Sequence, residues 1–119
     1  MQSTLVFGAS LKPNRYSNLA IKRLLENNVN TVAFGLKTGL VDEVQIKTNL
    51  SELPKIHTVT LYLNPERQKQ YYDSIIVLKP RRVIFNPGTE NPEFYKLLEK
   101  HNIQVEVSCT LVLLATGQY

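Results

Sequence analysis

Apolar positions along this chain fall into short runs separated by segments with helical spacing. Leu5 to Phe7 is the first run, and its brevity and lack of polar breaks fit a buried parallel strand. Leu19, Ala20, Leu24 and Leu25 then recur at helical intervals, which predicts a helix from about Ser17 to Asn28 with Ser17 as its cap. Thr31 to Phe34 predicts a second strand. The stretch from Lys37 to Asn49 has no strong period, and Val44 to Ile46 within it fits a short strand or an excursion. Ser51 to Pro54 reads as a helical turn, and Thr58 to Leu63 as a third strand. Asn64 and Pro65 suit the cap and first turn of a helix whose apolar stripe is Tyr71, Ile75 and Leu78, widened by Tyr72 and Ile76. Pro80 ends that helix. Arg82 to Phe85 predicts a fourth strand, Asn91 to Asn102 a long helix, and Ile103 to Val107 a fifth strand. A last helical segment opens at Ser108 or Cys109 and runs through Ala115.

Strands alternating with helices at this spacing imply a parallel sheet covered on both faces. The expected fold is α/β: one compact Rossmann-like domain over residues 1–119, with a doubly wound parallel sheet of about five strands. In such sheets the ligand lies beyond the carboxyl ends of the strands, where strand order reverses. The loops that matter therefore begin at Gly8, Gly35, Asn64 and Asn86.

Composition narrows the classes. Hydrophobic residues make up 43% of the 119 and charged residues 20%, a globular rather than a disordered balance. No apolar run approaches the roughly 20 residues of a membrane helix. Met1-Gln2-Ser3 lacks the pattern of a secretion signal, so no membrane is expected as a partner and the expected location is cytoplasmic. The single cysteine, Cys109, excludes an intrachain disulfide. A net charge of +4 favours anionic partners. Lys79, Arg81 and Arg82 form the only tight basic cluster, and it leads into the fourth strand at the end opposite the expected cleft. Nucleic acid is therefore not the expected partner.

The segment from Thr4 to Asn18 carries most of the chemistry. A strand, a glycine turn and a helix start direct unpaired N–H groups and a helix dipole at one point, which is an anion site. Gly8 permits close approach of the backbone, Ser10 and Ser17 supply hydroxyls, and Lys12 and Arg15 supply mobile positive charge. The loop is not a dinucleotide fingerprint, because Ser10 and Pro13 stand where that motif needs glycines. The second loop, Phe34-Gly35-Leu36-Lys37, lacks the acidic residue that bonds an NAD ribose. Lys37 suits an extra phosphate on that ribose, as in NADP or coenzyme A, and equally suits a solvated surface. The third and fourth loops, Leu63-Asn64-Pro65-Glu66 and Asn86 to Asn91, are explained locally as a capped helix start and a Pro-Gly turn. Glu90 is placed in the first turn of the helix that follows.

Gly8-Ala9-Ser10 with Pro13, Arg15 and Ser17, then Asn86-Pro87-Gly88-Thr89-Glu90-Asn91, then Cys109, together resemble the stand-alone CoA-binding domain family. Those small proteins are similar to the front domain of the succinyl-CoA synthetase alpha subunit. The resemblance implies a Rossmann-like fold that binds coenzyme A or an acyl-CoA, with no established catalytic activity. It implies that Gly8, Ser10, Arg15 and Ser17 hold phosphates, that Asn64 and Pro65 flank the nucleotide, and that Pro87 and Gly88 form the far wall. Ala9, Lys12, Pro13, Tyr16, Asn18, Gly35, Leu36, Lys37 and Leu63 complete the expected binding set. Family members usually carry Asn-Pro after the second strand, where this chain has Gly35-Leu36.

No catalytic set assembles from the sequence. His57 lies just before the third strand, on the wrong edge of the sheet, and His101 fits a helix end. One cysteine and two distant histidines do not make a metal site. Cys109 at a helix start is a candidate reactive thiol, and a small buried residue explains it as well. The alternative function is an NADP-linked nucleotide-binding protein or reductase. Apolar residues from Leu111 to Leu114 fit either a core edge or a homodimer contact.

Overall fold

Strand β1 (Ser3–Ala9) is buried almost throughout because it runs through the middle of the sheet. Its alternation divides the core. Leu5 and Phe7 pack on one face, with Phe34, Val59, Leu61, Ile75, Phe85, Phe94 and Leu98; Val6 packs on the other, with Ile21, Leu24, Ile46 and Leu114. The computed structural model, which describes residues 2–119, arranges the chain as β1, α1 (Tyr16–Glu26), β2 (Asn30–Gly35), β3 (Gly39–Val41), β4 (Val44–Lys47), β5 (Thr58–Leu61), α2 (Pro65–Gln68), α3 (Tyr72–Val77), β6 (Arg82–Phe85), α4 (Pro92–Lys100), β7 (Gln104–Val107) and α5 (Thr110–Ala115). One-turn 3-10 segments lie at Leu50–Glu52 and Lys69–Tyr71.

The sheet has seven strands in the order β3-β4-β2-β1-β5-β6-β7. Every pairing is parallel except β3 with β4. Seven strands rather than about five is a correction to the sequence-based expectation. The two additions form the β3–β4 hairpin on the outer edge of β2, where only Val44 to Ile46 had a strand-like pattern. These strands are too short for a readable period, and they are held by burial of Val41, Val44 and Ile46 against the α1 face.

Helices α1 and α5 share one face of the sheet with Val6; α3 and α4 share the other with Phe7. From β1 the chain crosses by α1 to β2 on one side; from β5, on the other side of β1, it crosses by α2 and α3 to β6. Strand order therefore reverses between β1 and β5. No helix among the described residues is long and apolar enough to cross a membrane.

Two local expectations change. Helix α1 begins one residue before Ser17, with Arg15 at the N-cap and no side chain bonded to the first turn. Glu90 precedes the helix start instead of lying in its first turn: Asn91 is the N-cap of α4, and Glu90 Oε1 accepts a hydrogen bond from Gly88 N at 2.8 Å. Pro-Gly turns leave the Gly88 N–H free, so an adjacent carboxylate closes the loop on itself. Asn64 behaves as expected, its Oδ1 accepting from Arg67 N at 2.9 Å with Pro65 in the first turn.

Candidate functional site

The carboxyl ends of β1, β2 and β5 open into a cleft of about 450 Å³ at the switch point. Its floor is built where strands approach closely. A Cβ on Gly35 would stand 2.4 Å from the Ala9 carbonyl oxygen, so only glycine lets the ends of β1 and β2 meet there. Gly8 has φ +95 and faces the Leu63 side chain, a left-handed conformation that glycine adopts without strain. The register of β1 against β2 shifts between Phe7 and Ala9, and this turns the following loop over the strand ends.

The loop itself is tied down from below. Asn18 Nδ2 donates to Ser10 O at 2.9 Å, and Ser10 Oγ accepts from Lys12 N at 3.1 Å. Ser17 is buried beneath it, while Lys12 and Arg15 stay exposed. No side chain caps α1, whose start reaches the cleft lining through Ser17, so the positive end of its dipole meets the cleft without a side-chain acceptor.

Of the residues expected from the sequence, the cleft brings together Gly8, Ala9, Ser10, Lys12, Arg15, Ser17, Gly35, Leu36, Lys37 and Leu63. The others lie off its lining. Pro13 and Tyr16 point to solvent, Asn18 is buried under the loop, and Asn64 and Pro65 shape the start of α2. Pro87 and Gly88 form an exposed turn one strand further along, after β6. The cleft also recruits Leu11 and Phe34, which lie in the first and second loops but were not named as binding residues, and Tyr62, Arg67 and Tyr71, which sequence reasoning did not place there. Tyr71 belongs to the expected helical stripe and ends the 3-10 turn at Lys69–Tyr71, where its ring packs on Phe7 and Phe34 with centroids 5.1 and 5.7 Å away. Phe7 and Phe34 are themselves 4.8 Å apart, so the aromatic wall that Phe34 and Tyr71 present to the cleft is backed by the buried Phe7 ring. Arg67 lies one residue beyond the third loop as it was drawn from the sequence, and the Asn-Pro cap was the available signal that the next helical turn would face the ligand.

The electrostatics are one-sided. Lys12, Arg15, Lys37 and Arg67 line the cleft, and no Asp or Glu does. Among the described residues, none of these four cations is in a salt bridge; the four ion pairs present lie elsewhere. Cations clustered without counter-charges repel one another, and an anion placed among them relieves that repulsion.

Beneath the cleft, the Tyr62 hydroxyl is buried. The Thr60 and Thr110 hydroxyls lie near it but bond to each other at 2.7 Å, and neither makes a hydrogen bond of ordinary geometry with the phenol. Burial pushes the Tyr62 phenol up to about 12, and those two hydroxyls moderate the shift. An unfolded tyrosine ionises near 10, so between there and about 12 unfolding releases a proton and stability falls as pH rises. Urea unfolding from about pH 9 to about pH 12 should show this decline, and Tyr62→Phe should flatten it relative to the parent. Equal slopes in the two proteins would place the titration on another group.

The histidine and basic-cluster candidates lie away from the cleft. His57 precedes β5 at the opposite edge, its Nδ1 2.8 Å from Thr58 Oγ1, and burial followed by the charges of Arg82 and Arg81 lowers its pKa. Arg82 is engaged by Glu106 at 2.8 Å and stacks over the Tyr119 ring at 4.7 Å. Cys109 is half-buried at the N-cap of α5. Among the described residues, no group of three or more His, Cys, Asp or Glu side chains could hold a metal.

A mostly parallel sheet with helices on both faces and a cleft at its switch point defines a Rossmann-like domain. Residues 2–115 match the family described as the CoA binding domain, and the chain belongs to that family. A solved structure described only as an uncharacterized protein is 41% identical, with a TM-score of 0.95, and the match covers 100% of this chain and 98% of that one. A Thermus thermophilus protein is 19% identical with a TM-score of 0.88, covering 99% of this chain and 90% of its own. A hypothetical protein from Pyrococcus horikoshii is 23% identical with a TM-score of 0.86, covering 97% and 82%. The latter two share the fold. No curated protein matches the chain.

Proposed function

We propose that this protein binds coenzyme A or an acyl-CoA in the cleft between β1, β2 and β5 and performs no chemistry of its own. The observation that carries this is the ring of four unpaired cations around an apolar, aromatic-walled cleft at the switch point. A nucleotide with several phosphates satisfies both halves of that surface. Its ring system suits the wall of Phe34, Leu36, Leu63 and Tyr71; its diphosphate suits Lys12, Arg15 and the uncapped start of α1. A long flexible tail can leave the open cleft toward solvent. Membership of the CoA binding domain family supports the choice of ligand.

The test is a calorimetric titration of the purified protein with coenzyme A, NADP and NAD. Micromolar binding of coenzyme A alone is the expected result. Binding of NADP in its place would favour the reductase alternative, for which Lys37 and the absence of an acidic residue after β2 are the pertinent features. Binding of none would reject the cleft as a nucleotide site.

Arg15→Ala should weaken coenzyme A binding by about 1–3 kcal/mol, the worth of a charge-assisted bond to phosphate. Its thermal midpoint should match the parent, because Arg15 is exposed and caps nothing through its side chain. Unchanged affinity would mean that the first loop does not hold the phosphates.

A further inference from the structure

We infer that Arg67 reads a phosphate monoester on the ribose of the bound nucleotide and sets the preference for a ribose-phosphorylated ligand. This rests on the nucleotide reading of the cleft and adds a residue and a selectivity to it. The diphosphate is already provided for by Lys12, Arg15 and the first turn of α1. Lys37 and Arg67 are a second pair of cations, leaving the ends of β2 and β5 on either side of β1. A ligand with a diphosphate alone gives them nothing to bind. One further dianion on the ligand's ribose would give these cations a partner.

The placement of Arg67 is fixed although its side chain is exposed. Its backbone N–H is held by Asn64 Oδ1 at 2.9 Å. The next residue, Gln68, is fully buried and donates to Leu63 O and Thr89 O, both at 2.8 Å. One turn on, Tyr71 lines the same cleft and is locked against the rings of Phe34 and the buried Phe7. The neighbouring carboxylate, Glu66, is paired with Lys69 at 3.2 Å and leaves the guanidinium free. A rigid base carrying a free, planar, always-charged fork suits bidentate recognition of a phosphate monoester.

The experiment compares the parent and Arg67→Gln against two ligand pairs that differ only by this phosphate: coenzyme A with dephospho-coenzyme A, and NADP with NAD. The parent should bind coenzyme A about tenfold or more tightly than its dephosphorylated form, and Arg67→Gln should lose about tenfold for coenzyme A alone. Arg67→Lys should restore part of the preference. Equal binding of both coenzyme A forms by the parent, or equal weakening of both by Arg67→Gln, would overturn the role of Arg67 while leaving the coenzyme A reading intact. Preference for NADP over NAD, erased by Arg67→Gln and with no coenzyme A binding, would reject coenzyme A and uphold Arg67. Binding of neither pair would reject both.

Discussion

Replacing Gly35 with alanine is expected to destabilise the protein by about 3 kcal/mol and to abolish ligand binding. The added Cβ would stand 2.4 Å from Ala9 O and 3.2 Å from Ile46 Cγ2. The first obstacle is backbone of the central strand, so no side-chain rotation relieves it. Either β2 separates from β1 at their carboxyl ends, or Ala9 moves and takes the phosphate loop with it. A contrasting substitution isolates the steric term. At Gly88 a Cβ meets nothing within 4 Å, but φ is +93, so Gly88→Ala carries conformational strain of only about 1–2 kcal/mol. Urea unfolding of both variants, with calorimetry on the folded fraction, measures the difference. A Gly35→Ala protein as stable as Gly88→Ala would show that the strand ends yield more easily than their packing implies.

Asn86→Ala is expected to cost about 3–5 kcal/mol, a large share of the stability of a domain this size. Asn86 is buried at the carboxyl end of β6 and ties three segments together. Its Nδ2 donates to Leu61 O at 2.9 Å and Thr60 Oγ1 at 2.7 Å, and its Oδ1 accepts from Thr110 N at 2.8 Å. Truncation leaves a buried carbonyl on β5 and a buried N–H at the start of α5 without partners, and each such group costs about 1–3 kcal/mol. Asn86→Asp should not rescue the fold, because a carboxyl oxygen would then face the Leu61 carbonyl. The measurement is the denaturation midpoint together with hydrogen exchange at the Thr110 amide, which should lose protection first. A midpoint within about 1 kcal/mol of the parent would mean that solvent replaces these bonds at little cost.

The alternation of strands and helices was legible because the central parallel strands are buried on both faces and read as apolar runs. Val83 to Phe85 is a clear instance. A helix start was legible where a capping side chain declares itself, as at Asn64, while at α4 the Asn91 cap put Glu90 outside the first turn expected for it. Arg15 was not, since it caps α1 by backbone position alone. The β3–β4 hairpin was only half visible, because strands of three and four residues take their conformation from pairing with β2 and from burial of Val41 and Ile46. A propensity of that size is outweighed by tertiary contact.

The same division holds in the cleft. Local sequence determined the glycine turn after β1, the cations of the first loop and the Asn64-capped start of α2. These depend on φ, hydrogen bonding and charge within a few residues. Only the tertiary structure decided that Pro87 and Gly88 stand one strand away from the cleft, that Phe34 and Tyr71 share a wall, and that Arg67 joins Lys12, Arg15 and Lys37 on the cleft lining. The order of strands in a sheet and which ring packs on which are set by packing between segments far apart in the chain. A ligand site at a switch point is made where those distant choices meet.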